Sequence, residues 1–60
     1  MFVLINRKGL YVARPGSVSS YTADLSRAAK YATEDDARRH QCIESERIAN
    51  LERELDKFRQ

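Results

Sequence analysis

Two short apolar runs open the chain, Phe2 to Ile5 and Leu10 to Ala13, separated by Asn6, Arg7, Lys8 and Gly9. Both runs are rich in β-branched and aromatic residues, which favour strands. Asn6 suits the first position of a type I turn and Gly9 accepts the left-handed conformation that closes it, so the pair reads as a β-hairpin. Successive side chains of a strand point to opposite faces. A hairpin apolar at every position therefore carries apolar surface on both faces, and each must be covered by the chain or by a partner. Pro15 and Gly16 end the second strand, and residues 14–20 form the one loop-like run.

At 60 residues the chain is expected to be a single domain, 1–60. A domain of that size hides only about 60% of its unfolded surface, so outside help with stability is expected. A lone Cys42 excludes an internal disulfide and a lone His40 leaves no zinc constellation, so no metal or cofactor is expected. Oligomerisation or a partner remains as the staple. No apolar run approaches the roughly 20 residues of a membrane span. The opening Met1 to Lys8 places its charge after its apolar run, the reverse of a signal peptide. The expectation is a soluble cytoplasmic protein without membrane contact.

Further along, Thr22 is an expected N-cap with Asp24 in the first turn, and Leu25, Ala28 and Ala29 fall on one face of a short helix. Tyr31 and Ala32 suit a brief third strand or a buried turn, with the Tyr31 ring over the hairpin. Thr33 followed by Glu34, Asp35 and Asp36 is an N-cap with carboxylates facing the positive helix end. No Gly or Pro follows, so the helix is expected to run to about residue 59, where Lys57 and Arg59 complement its negative end. At 1.5 Å per residue it would be roughly 39 Å long and overhang the rest. Cys42 and Ile43 lie off its apolar stripe, so either another face packs on the hairpin or the helix breaks there. The expected fold is α+β, order ββα(β)α: a small antiparallel hairpin, with room for a third strand, on a short helix and a long C-terminal helix. Residues 1–32 form the hairpin and short helix, and residues 33–60 the long helix. Phe2, Leu4, Val12, Leu25, Ala28, Tyr31 and Ala37 are the expected core.

The charge is uneven. Arg7, Lys8, Arg14, Arg27 and Lys30 stand against Asp24 alone in residues 1–32, for a net +4, while residues 33–60 carry six basic and eight acidic side chains, for −2. Such a dipolar chain attracts nucleic acid at one end or orients a protein partner. Arg7, Lys8 and Arg14, with Tyr11 and Tyr21 nearby, suggest a partner surface or a nucleic-acid surface that pairs phosphate contacts with a stacking platform, Arg27 adding to it. Ile48, Leu51, Leu55 and Phe58 project from a charged segment at helical spacing and suggest an oligomer seam, most simply a homodimer. The same stripe also suits a helix folded back onto its own core, or a frayed tail. His40 and Cys42, two residues apart on a helix, point to nearly opposite sides and do not pair. Glu34, Asp35 and Asp36 are explained by capping without a ligand. No nucleophile with its base, metal set or phosphate loop can be assembled, so an enzyme is not expected.

The order "FVLIN..G.YVA" and then "YTADL..A..YAT..DA", over residues 2–37, resembles many small accessory proteins of tailed bacteriophages and prophages. Those share an apolar hairpin, a "T.DL..A" helix and a Thr-x-Glu/Asp-x-Ala helix entry. The segment from Ile48 departs from that pattern, where such proteins often finish sooner. The resemblance transfers no site residues. It implies a class: non-enzymatic factors that bind, and often inhibit, a host protein, defence systems included. The alternative from the charge pattern is a small nucleic-acid-binding regulator.

Overall fold

The computed structural model describes residues 1–57, folded as a small α+β domain: a four-stranded antiparallel sheet with two short helices. The strands are β1 (Phe2–Asn6), β2 (Tyr11–Val12), β3 (Tyr21–Thr22) and β4 (Glu46–Asn50), in the spatial order β3-β2-β1-β4. The helices are α1 (Glu34–His40) and α2 (Leu51–Lys57).

The first turn forms as its residues dictate. Gly9 N donates to the Asn6 carbonyl at 3.0 Å, and the Asn6 side-chain oxygen accepts from Lys8 N and Leu10 N. Gly9 has φ +83°, where a Cβ would be strained. β1 and β2 pair at Ile5 and Tyr11 and then part. Residues 27–31 fill the gap: Ala28 bridges Ala13, Ala29 N donates to the Val12 carbonyl, and Tyr31 exchanges two 2.8 Å backbone bonds with Phe2. Tyr31 thus supplies a single bridge, while the third strand is Tyr21–Thr22, paired with β2.

Two expected helices are corrected. The segment after Thr22 forms only one 3-10 turn, Leu25–Arg27, capped by Asp24 rather than Thr22. Its extension is pre-empted because the Arg27 carbonyl and the Ala29 amide bond the β2 side, at Arg14 N and Val12 O. The long C-terminal helix is also absent. α1 starts as read, with the Thr33 hydroxyl accepting from Asp36 N at 3.1 Å, but ends at His40 after seven residues. Of the two readings at Cys42 and Ile43, the break is the one realised. Gln41 is extended, Ser45 N and Glu46 N both donate to the Cys42 carbonyl, and the chain enters β4. There it pairs with β1 residue for residue, from Asn50 opposite Phe2 to Glu46 opposite Asn6. An apolar β1 with one bare edge would leave backbone donors and acceptors unsatisfied, and β4 satisfies them. Asn50 then caps α2, its side-chain oxygen accepting from Glu52 N at 2.9 Å.

Both sheet faces are covered from within. On one, Val3, Ile5, Tyr11 and Ala49 pack with Leu25 and Ala28, and Leu51 of α2 closes over them. On the other lies fully enclosed Leu4. Phe2 shares that face, and its cross-strand partner Tyr31 stacks on His40 at 5.1 Å, which places α1 and its buried Ala37 there. Leu4, Leu25, Ala28 and Ala37 are buried as expected, whereas Phe2, Val12 and Tyr31 are half-buried. The core also takes in Val3, Ile5, Tyr11, Ala29 and Ala49.

Candidate functional site

The best-defined surface feature is the end of the sheet where the β1–β2 turn meets the 42–45 turn. Arg7 donates from Nη2 to the Glu44 carbonyl, tying the two turns together. A cleft of about 350 Å³ opens between Ile5, Asn6 and Arg7 on one side and Ile43, Glu46 and Arg47 on the other. Ile43 is 78% exposed, a large aliphatic side chain presented by a tight turn. Lys8 and Arg47 are exposed beside it.

Glu46 organises this end. Its Oε1 accepts from Cys42 N at 2.8 Å, its Oε2 from the Tyr21 hydroxyl at 2.6 Å, and its backbone carbonyl from Gln41 Nε2 at 2.7 Å. The hydrogen bond to Glu46, followed by burial, pushes the Tyr21 phenol above its ordinary value. The carboxylate is committed to holding the turn.

The residues expected to form one partner surface are dispersed. Arg7 and Lys8 sit at the turn, whereas Arg14 lies beyond β2 beside Pro15, Lys30 and Arg27, in clefts that share no lining residue with the first. Tyr11 is no stacking platform: it is 5% exposed, and its hydroxyl donates to Glu54 Oε1 at 3.0 Å. Glu54 is itself buried and paired with Lys57 at 2.9 Å. Burial, then the bond to Glu54, pushes the Tyr11 phenol up. For Glu54, burial pushes the carboxyl up, but the hydrogen bonds from Lys57 and Tyr11 and the charges of Lys57 and Arg47 outweigh it. The carboxyl ends below its ordinary value.

The apolar stripe is divided. Ile48 lies half-buried on β4 opposite Leu4, Leu51 packs on the core from α2, and Leu55 is 42% exposed. No single helix carries them, because Ile48 belongs to a strand; Phe58 and Arg59 lie outside the described residues. Cys42 is exposed, while His40 meets the Asp36 carbonyl of its own helix through Nδ1 at 2.9 Å and stacks its ring on Tyr31. Glu34, Asp35 and Asp36 pair with Arg38 and Arg39 at 3.5 to 4.0 Å on an exposed surface, and no group of three metal-binding side chains occurs among the described residues. No helix among them is long and apolar enough to cross a membrane.

Sequence reasoning missed Ile43 as a surface feature and Glu54 as a core group. Ile43 carried one signal, its place off the helical stripe. Asn50 before Leu51, Glu52, Arg53 and Glu54 is an N-cap followed by an acidic first turn, a start signal for a second helix. Compared with known protein families, curated proteins and solved structures, the chain matches none of them.

Proposed function

We propose that the chain is a non-enzymatic accessory protein of the tailed-phage type, which binds and so modulates a host protein in the bacterial cytoplasm. The observation that carries this reading is the turn end of the domain: Ile43 stands 78% exposed beside Arg7, whose guanidinium is fixed on the Glu44 carbonyl. An apolar knob that shares a cleft with Arg7 and Arg47 suits a partner with an apolar socket and an acidic rim. The inhibitor reading rests on the resemblance in residues 2–37, which is analogy of class. The nucleic-acid alternative at the hairpin tip loses one of its two aromatics, because Tyr11 is buried, while Tyr21 lines a cleft with Arg7 and Lys8 but gives its hydroxyl to Glu46.

The test is a tagged pull-down from bacterial lysate with and without nuclease, run in parallel with Ile43→Asp. One stoichiometric protein that survives nuclease and is lost from Ile43→Asp supports the reading. Equal recovery by the variant removes this surface, and proteins that vanish with nuclease turn the reading toward nucleic acid.

A further inference from the structure

Arg14 and Pro15 stand between two adjoining clefts. One, of about 590 Å³, is lined by Ala28, Ala29, Lys30, Tyr31 and His40, and the other, of about 580 Å³, by the 16–18 loop and Arg27. The two share Arg14 and Pro15, so that they make one track with Arg27 in one cleft, Arg14 at the junction, and Lys30 with the Tyr31 and His40 rings in the other. Among the described residues, no carboxylate lines either cleft.

Each cation is placed to meet an anion. Lys30 Nζ donates to the Leu25 and Ala28 carbonyls at 3.2 and 3.3 Å, which fixes its position and leaves one of three N–H groups to offer. Arg27 meets Asp24 only at 3.7 Å, in a pair more than half exposed on both sides, and such contacts are weak and easily exchanged. Asp24, whose charge bears on both Arg27 and Lys30, also accepts on its other oxygen from the Ser26 amide and hydroxyl at 3.0 and 2.7 Å. Arg14 is exposed. At the end of the track the Tyr31 and His40 rings stack at 5.1 Å with 24° between their planes, and the His40 bond to Asp36 O fixes the outer ring.

We propose that this track binds single-stranded nucleic acid, with phosphates on Arg27, Arg14 and Lys30 and a base stacked at the Tyr31–His40 pair. Cations that follow a backbone, combined with an aromatic platform, are the two parts of sequence-tolerant single-strand binding. The site does not depend on the Ile43 surface, with which it shares no residue.

The test is fluorescence anisotropy of a labelled 12-nucleotide oligo(dT) against the whole chain. Three phosphate contacts predict that affinity falls roughly 20-fold between 50 and 200 mM salt, from a single-strand slope of about 0.7 per contact. The double variant Arg14→Gln and Arg27→Gln is expected to weaken binding and flatten that slope, while Arg53→Gln, exposed on α2 and outside both clefts, leaves both unchanged. His40→Ala is expected to weaken binding with the slope retained, and His40→Tyr to restore it. Amide chemical-shift mapping on the unaltered chain provides a check that no variant's folding can confuse, with shifts expected at Arg14, Lys30 and His40. Absence of binding at 50 mM salt, an affinity indifferent to salt, or shifts confined to residues 6–9 and 42–47 would each overturn the proposal.

Discussion

Val3 and Leu4 are neighbours in β1 and both are fully enclosed, yet what encloses them differs. Around Val3 lie Ile5, Tyr11, Leu25, Ala28 and Ala49, and the polar groups on that side, Glu54 and the Tyr11 hydroxyl, are bonded to each other in the interior. Around Leu4 the cover is thinner. Its sheet neighbours Phe2 and Ile48 are half-buried, and Tyr21 and Tyr31 reach that face with partners, Glu46 and His40, near or at the surface. One face is sealed and holds the fold, while the other is closed over Leu4 by a seven-residue helix and leaves its aromatic groups at a wet margin. Both proposed binding surfaces draw on residues of that margin: Glu46 orders the Ile43 turn, and Tyr31 with His40 ends the cationic track.

The comparison breaks most readily at Leu4, which is fully enclosed although its sheet neighbours Phe2 and Ile48 are only half-buried. Leu4→Ala is expected to cost about 2–5 kcal/mol, as large-to-small changes at enclosed sites do. A 60-residue domain has roughly 3–9 kcal/mol in total. The variant is therefore expected to be largely unfolded in urea well below the midpoint of the parent. A small loss would mean that α1 settles onto the sheet and that the two faces are alike.

The two faces are next distinguished by the same chemical change made on each. Tyr11→Phe removes a buried donor to Glu54 and is expected to cost about 1–2 kcal/mol, because the carboxylate then relies on Lys57 alone while water is excluded. Tyr21→Phe, which frees a Glu46 oxygen that water reaches, is expected to cost clearly less in the same urea series. Titration separates them further. Tyr11 has a pKa raised above its ordinary 10.0, so its contribution is full below pH 10 and is lost as pH rises through the folded value. Glu54, lowered from 4.5, contributes above pH 4.5, and that contribution is lost as pH falls through its folded value. Tyr11→Phe should therefore lose less stability above pH 10 than the parent does, the remaining loss coming from Tyr21 and Tyr31, which are also raised. Equal alkaline losses would place Tyr11 outside the sealed face.

How far the sequence disclosed this arrangement depended on whether a feature was encoded locally. The Asn6 to Gly9 turn and the Thr33 cap were legible because a short stretch contains both the group and its partner. The α+β class followed from the apolar hairpin. β4 was not legible, since Glu46, Arg47, Ala49 and Asn50 have no marked strand preference and become a strand by pairing with β1 some forty residues away. The turn before it uses neither Gly nor Pro and is held by the Glu46 side chain on Cys42 N, a contact that the order of residues does not announce. The cationic track was half legible: Arg14 and Arg27 were noted, but grouped with a hairpin tip from which the fold separates them.

The smallest expected effect concerns Leu55, the last described member of the stripe that suggested a dimer. Leu51 and Leu55 are one helical turn apart, so they share a side of α2, and Leu51 turns that side to the core. Leu55 therefore sits at the rim of the sealed face, 42% exposed, where half of its surface already meets water. Leu55→Glu is expected to change stability by less than about 0.5 kcal/mol, the range of ordinary surface substitutions, with an unchanged mass by light scattering. Leu51→Glu places a charge against the core cluster on which Leu51 packs and should unfold the chain, so only the Leu55 variant discriminates. A fall in mass for a folded Leu55→Glu chain would show that α2 continues the sealed face into a second copy. The rim of the core would then be an interface, and the two faces would differ in what covers them from outside as well as from within.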